Sequence, residues 1–268
     1  MSEQLFTIFG ATGFVGSHLS RRLEVHGHQV RAVGRSGWPP HGANLGHVIY
    51  AIGVTADFRS RPIDTVEAHV CRLVEVLRSY SFESFLYLSS TRLYRDASST
   101  QEAAMIAVPP GDPERLYDAT KVAGEALCLT LPFPTLKVAR LSNLYGPRNH
   151  TDNFLSQVLA EGRKTGSIVI RTGPDSTKDY LHVEDACAAL IEIATKGRQR
   201  IYNVASGFNV THRELAELLG QHAGIKASFS ANEADVIWPR IDMTRFATEF
   251  SWSPRQLKDA FAELTKLQ

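Results

Sequence analysis

Three glycines, Gly10, Gly13 and Gly16, fall within the stretch "TIFGATGFVGSHL" (residues 7–19), directly after an apolar run and directly before a helical pattern. Glycine lets a backbone approach a pyrophosphate with no Cβ in the way, and the amides of a helix starting there complement the phosphates. A strand before the turn and a helix after it are the context that such a loop needs to hold a dinucleotide. The candidate contacts are Gly10, Thr12, Gly13, Phe14, Val15 and Gly16.

The turn is also the first of several repeated units. Apolar runs at 6–9, 29–33, 47–52, 85–88 and 135–141 read as strands, with helical patterns at 16–26, 65–79 and 119–129 between several of them. Continuous apolar strands in this rhythm predict an α/β fold, a Rossmann-type doubly wound parallel sheet covered on both faces. After about residue 150 the rhythm is irregular, with one short run (167–170), a helix (183–195) and a loop-rich tail. The expected organisation is a dinucleotide-binding domain with the catalytic residues over 1–150. Residues 151–268 then form mainly a small C-terminal substrate-binding lobe, with some chain returning to the main domain. One spacing breaks the pattern: "SGWPPHGANLGH" (36–47) is too short for a helix, a strand and a second helix, so one βα unit after the second strand is expected to be shortened or missing.

The second strand bears on the choice of cofactor. An acid at its end would hydrogen-bond an adenosine ribose and repel a 2′-phosphate, whereas arginine pairs with that phosphate. This chain reads "VRAVGRS" (30–36), with Gly34 where the acid would sit, then Arg35 and Ser36. NADP(H) is preferred over NAD(H), which is still possible.

Charge and cysteine content exclude some partners. Lys plus Arg (29) nearly balance Asp plus Glu (28), so no net field attracts nucleic acid or an anionic membrane. Cys71, Cys128 and Cys187 are far apart and not spaced as metal ligands; they read as buried thiols in a reducing compartment, and no metal is expected. A strand-like run within a few residues of Met1 leaves no room for a signal sequence, and no apolar stretch is long enough to span a bilayer. A soluble cytoplasmic protein is the expectation.

In "ERLYDATKVAGEAL" (114–127), Tyr117 and Lys121 stand four apart and share a helix face. An ammonium near a phenol stabilises the phenolate, which fits Tyr117 for acid/base work. The run "FLYLSSTRLY" (85–94) puts Ser89, Ser90 and Thr91 at the carboxyl edge of the sheet, where open α/β folds bind ligands. The same hydroxyls could instead simply end the strand and cap the next turn.

These stretches, together with "VARLSNLYGP" (138–147), "KDYLHVEDACAA" (178–189) and "YNVASG" (202–207), come in the order found in one family. Over nearly its whole length the chain resembles the extended short-chain dehydrogenase/reductase family, in its nucleotide-sugar epimerase, dehydratase and reductase branch. The resemblance implies Tyr117 as acid/base, Lys121 as ligand of the nicotinamide ribose and helper of Tyr117, and Ser90 as catalytic hydroxyl. It implies Asn143 as a contact of the substrate diphosphate, with Thr91 beside Ser90 in the substrate site. Family members often form homodimers through the helix after residue 65 and the helix carrying Tyr117.

The chain also departs from the family pattern. Dehydratases of this branch carry an acid pair where Thr91 and Arg92 stand, so dehydration is disfavoured. Lys178 replaces an arginine before Asp179, which keeps the charge but loses the bidentate fork. "NEADV" (232–236) lacks an arginine of the family pattern, so Arg240 is the candidate to supply that phosphate contact. His69 stands where the family commonly has asparagine and reads as a structural, partly buried histidine. Asp57 and Arg59 read as substrate-facing or as a solvated loop.

The leading expectation is NADP(H)-dependent 4-ketoreduction of a nucleotide-activated sugar. The alternatives are a 4-epimerase, a reductase of a small non-nucleotide carbonyl, and a cofactor-dependent binding protein without turnover.

Overall fold

The computed structural model describes residues 3–55, 57–147, 154–231 and 233–266. The first half runs β1 (Leu5–Phe9), α1 (Phe14–Val25), β2 (Gln29–Val33), β3 (His47–Tyr50), α2 (Pro62–Val66), α3 (Arg72–Ser79), β4 (Ser84–Ser90), α4 (Leu116–Thr130) and β5 (Leu136–Leu141). The second half runs β6 (Asn143–Tyr145), α5 (Phe154–Thr165), β7 (Ser167–Ile170), β8 (Thr177–His182), α6 (Val183–Lys196), β9 (Ile201–Val204), β10 (Asn209–Thr211), α7 (His212–Ala223), β11 (Lys226–Phe229), α8 (Thr244–Glu249) and α9 (Leu257–Lys266).

The main sheet has the order β2-β1-β3-β4-β5-β9 and every pairing in it is parallel. Period-two alternation sends Phe6, Ile8, Ile49, Leu86 and Leu88 to one face, against α1 and α6, and Phe9, Val48, Tyr50, Phe85 and Tyr87 to the other. Because both faces are covered, β3 and β5 are buried at every residue.

β2 is the edge of this sheet, and no strand lies beyond it among the described residues. The missing βα unit is replaced by the loop 34–46, which crosses to β3 without a helix. Trp38, Ala43 and Leu45 from this loop fill the core beneath α3. Tyr80 Oη donates to the Pro39 carbonyl at 2.8 Å, and Leu45 N–H to the Ser81 carbonyl at 2.9 Å, which pin the loop to the connection between α3 and β4.

Residues after 150 build a second core from Leu155, Val158, Leu159, Ile168 and Ile170 with Leu215, Leu219, Ile225 and Phe261. α6 and β9 instead belong to the main layers. No helix among the described residues is long and apolar enough to cross a membrane.

Two expectations need correction. β3 ends at Tyr50, two residues early, because Ala51 turns out of the sheet while its N–H still reaches the Phe9 carbonyl at 2.8 Å. The helix expected from residue 65 begins at Pro62 and contains a π-helical turn, Glu67–Cys71. This wider turn rotates the following face, so Cys71 is exposed rather than buried, unlike Cys128 and Cys187.

Candidate active site

At the glycine turn, two of the three glycines are required by the protein itself. A Cβ on Gly10, where φ is +80°, would sit 2.7 Å from the Ala51 carbonyl oxygen, and one on Gly16 would sit 2.2 Å from that of Gly10. Both distances are below contact, so the turn closes only with glycine there. Gly13 differs: its Cβ would meet only the Gly10 oxygen, at 3.2 Å, so this residue borders open space. Gly13 precedes α1 and no side chain caps that helix, which leaves its first amides free for an anion.

Gly13, Ala51, Ile52 and Gly53 are shared by two cavities, of about 790 and 470 Å³, which therefore form one trough across the carboxyl ends of the strands. Thr12, Gly34, Arg35 and Trp38 line the outer part, and Arg35 has no hydrogen bond or ion pair with any described residue. Ser36 is exposed and outside the lining. Phe14, Val15 and Gly16 line the inner part with Ser89, Ser90, Thr91, Tyr117 and Lys121. Ser89 Oγ is buried there without a partner. The open cradle at Gly13, the uncapped helix and this orphaned hydroxyl fit a dinucleotide laid along the trough, with adenosine toward Arg35. A nicotinamide at the inner end would supply hydride chemistry.

The candidate acid/base group is assembled from two elements. β4 ends at Ser90, whose Oγ accepts the Arg92 N–H at 3.1 Å, and α4 brings the Tyr117 phenol against that hydroxyl. Burial pushes the phenol up to about 12, while the Ser90 hydrogen bond and the Arg92 charge pull it down. Lys121, one turn later, donates from Nζ to the Leu88 carbonyl at 2.8 Å and lies 5.8 Å from the Tyr117 ring centroid. Burial pushes its ammonium down to about 7.

His69, on the π-helical turn, meets the Tyr117 ring edge-on at 5.2 Å. It is fully buried rather than partly so. Its Nε2 accepts the Val54 N–H at 3.2 Å, so Nδ1 carries the proton and donates to Thr120 Oγ1 at 2.8 Å. Thr120 Oγ1 in turn donates to the Tyr117 carbonyl at 2.9 Å. Burial pushes His69 down to about 2, so it stays neutral and braces the helix carrying Tyr117.

Asn143 and Lys178 line the same inner cavity. Asn143 Nδ2 donates to the Asp179 carbonyl at 2.9 Å. The Lys178 ammonium stands 4.5 Å from the Phe154 ring centroid, and burial and the Arg92 charge both lower its pKa. Arg240 is not brought to the cavity. Its Nε donates to the Gly207 carbonyl, its guanidinium covers the Phe208 ring, and its own carbonyl is held by Thr100. In the "NEADV" stretch, Asn232 lies outside the described residues, and Asp235 accepts the Asp175 N–H at 3.0 Å.

Asp57 and Arg59 are solvated, paired with Arg61 and Glu114 respectively. Thr55 and Phe58 of that loop line the cavity instead, and Phe58 packs on Tyr117 at 5.6 Å. Trp238 is a further lining residue that the sequence did not signal. No carboxylate lines the inner cavity among the described residues, whereas Arg92, Lys121 and Lys178 do.

The fold and this site define a nicotinamide-dependent enzyme of the doubly wound α/β class. The chain belongs to the NAD dependent epimerase/dehydratase family, whose model matches residues 6–61 and 41–205. It is 27% identical over 253 residues to a GDP-6-deoxy-D-mannose reductase of Pseudomonas aeruginosa, covering 84% of this chain and 82% of that one. It is 25% identical over 156 residues to a dTDP-glucose 4,6-dehydratase of Streptomyces griseus, covering 57% of this chain and 47% of the relative. The chain thus spans about half of that dehydratase, and 64% of the Streptomyces niveus one. Among solved structures, RMD from Pseudomonas aeruginosa complexed with NADPH superposes with a TM-score of 0.80 at 22% identity, covering 98% of each chain. MoeE5 in complex with UDP-glucose and NAD superposes with a TM-score of 0.79 at 20% identity, covering 96% of each.

Proposed function

We propose that this protein uses NADPH to reduce the 4-keto group of a nucleotide-activated sugar. The observation that carries the reading is the inner cavity itself: a protonated phenol is its acid, and no carboxylate lines it among the described residues. Expelling a hydroxyl, as a dehydratase must, calls for a further acid, and Thr91 and Arg92 occupy the place of that acid pair. Protonating the oxygen of a reduced ketone needs only Tyr117.

In this reading Tyr117 and Ser90 hold the carbonyl oxygen, and Tyr117 gives up its proton to it. Lys121 holds the nicotinamide ribose and assists Tyr117. Thr91 borders the sugar, and Asn143 and Lys178 take the diphosphate. Arg35, without a competing carboxylate at the end of β2, supports NADPH over NADH. The GDP-6-deoxy-D-mannose reductase among the relatives supports reduction, and the RMD structure complexed with NADPH supports the cofactor. A cytoplasmic homodimer completes the proposal, with Ile63 and Val66 on α2 supplying exposed apolar surface for it.

The test is one incubation series of purified protein, NADPH and a panel of nucleotide sugars that includes 4-keto-6-deoxy forms. The expected result is loss of nicotinamide absorbance matched by a product two hydrogens heavier. An isomerised product with no net NADPH loss would make the protein a 4-epimerase. Turnover of small carbonyl compounds unaffected by free nucleoside diphosphates would remove the nucleotide from the reading. Undiminished biological activity of Tyr117→Phe would reduce the protein to a binding role.

A further inference from the structure

We infer that Arg92 is a positioning residue for proton transfer, its guanidinium being the fixed positive charge that holds the Tyr117 phenol in a usable range of acidity. The inference rests on the reading of Tyr117 as proton donor.

The Arg92 Cζ lies 5.8 Å from the Tyr117 ring centroid and 5.2 Å from that of Phe58, so the guanidinium stands against both rings. Two anchors near the start of α4 fix it there: Nε donates to Asp118 Oδ1 at 3.0 Å, and Nη2 to the Glu114 carbonyl at 3.1 Å. Its backbone N–H meanwhile binds Ser90 Oγ, so one residue orients the hydroxyl and sets the charge on either side of the phenol. Such a rigid fork is something arginine provides and lysine does not.

The other groups around Tyr117 do not replace this charge. Lys121 stands equally far from the ring, but with a pKa near 7 it carries only about half a charge at neutral pH before a ligand arrives. His69 is neutral, and Tyr87 behind it is held protonated by burial. Asp118 opposes Arg92, yet its carboxylate is shared with Arg115 Nη1 at 3.1 Å. Two guanidiniums, the buried Arg115 and the partly buried Arg92, therefore share one buried carboxylate. The remaining partners of Arg115, Asp96 and Asp112, are about half exposed and screened by water.

The experiment has two arms. In the first, protein labelled with ζ-13C tyrosine and saturated with NADP+ is titrated by NMR, with the Tyr117 resonance assigned from Tyr117→Phe. In the second, the pH dependence of NADPH oxidation is followed with GDP-4-keto-6-deoxymannose. Arg92→Gln is expected to raise the Tyr117 midpoint by about one unit. It should also move the alkaline limb of kcat upward and lower the plateau about tenfold, with little change in KM. Arg92→Lys, which keeps the charge, should return most of the midpoint. A midpoint unchanged in Arg92→Gln, or beyond the titration range in wild type and variant alike, overturns the inference. So does failure of both Arg92→Gln and Arg92→Met to fold, since the residue would then serve the fold. If wild type does not turn over the keto sugar, the proposed reaction fails while the NMR arm still decides the role of Arg92.

Discussion

Replacing Lys121 with methionine should stabilise the nucleotide-free protein near neutral pH while abolishing turnover. Burial lowers the Lys121 pKa from 10.5 to about 7. Each unit of that fall is worth about 1.4 kcal/mol, so the charged amine costs the fold roughly 3 to 5 kcal/mol at pH 7. Methionine removes this cost but leaves the Leu88 carbonyl, which now accepts from Nζ at 2.8 Å, without a donor. An unsatisfied buried carbonyl costs about 1–3 kcal/mol, so the net gain is on the order of 2 kcal/mol.

The pH dependence separates this cause from simple repacking. Between pH 7 and 10.5 the unfolded chain keeps the Lys121 proton and the folded one has lost it. Wild-type stability therefore rises with pH across this window, by up to about 1.4 kcal/mol per unit, and the penalty is gone above the unfolded pKa. Lys121→Met lacks this slope, so its advantage should shrink through the window and reverse by about pH 9.5. Urea unfolding of both proteins without nucleotide, read by fluorescence of Trp38, Trp238 and Trp252, measures the difference at each pH. A variant less stable than wild type at pH 7, by an amount constant to pH 9.5, would refute the reasoning.

The same geometry gives four further expected outcomes. Arg35→Ser should weaken NADPH binding about 10- to 100-fold through loss of a charge-assisted contact and leave NADH binding unchanged; equal effects on both cofactors in fluorescence titration would sink the assignment. Glu125→Gln breaks the buried bidentate pair with Arg140, at 2.7 and 2.9 Å, and should cost about 3–5 kcal/mol in denaturant unfolding. His69→Gln should lower the melting temperature yet leave the acid limb of the activity profile in place, because His69 titrates at about 2; a limb that moves between pH 5 and 8 would give the histidine a protonic role. Binding of NADP+ near pH 7.5 should take up a proton at Lys121, whose pKa burial lowers to about 7, and calorimetry in two buffers of different ionisation enthalpy measures that uptake.

The features legible in the sequence are the local ones. β2 and β7 were legible to the residue because their apolar runs end at glycine or charge, and the missing βα unit was legible from the length of loop 34–46 alone. Gly10 and Gly16 were readable because their constraint is steric and lies within one turn. Phe58 and Trp238 were not, since an aromatic in a loop carries no mark distinguishing a cavity wall from a core filler. The π-helical turn at 67–71 was equally hidden. One extra residue per turn leaves composition unchanged but turns Cys71 outward and His69 onto Tyr117. Arg240 shows the opposite limit: its charge was legible, but its engagement with Gly207 and Phe208 depends on tertiary packing.

The inner cavity gathers Arg92, Lys121 and Lys178 around one phenol and, among the described residues, sets no lining carboxylate against them. Burial holds both lysines below their ordinary values, and Lys178 has an aromatic face where an anion would satisfy it better. Such a site is costly by itself, because each ammonium has left water without an ion-pair partner among the described residues. In the proposed reading its cost falls once a ligand brings phosphates to Lys178 and a ribose to Lys121, whose amine, with a pKa of about 7, can then recover its proton. That recovery raises the positive potential at Tyr117, where negative charge would develop as the phenol gives up its proton. Ligand affinity and phenol acidity are thus coupled through the same cations, and a neutral replacement at either lysine should weaken both together.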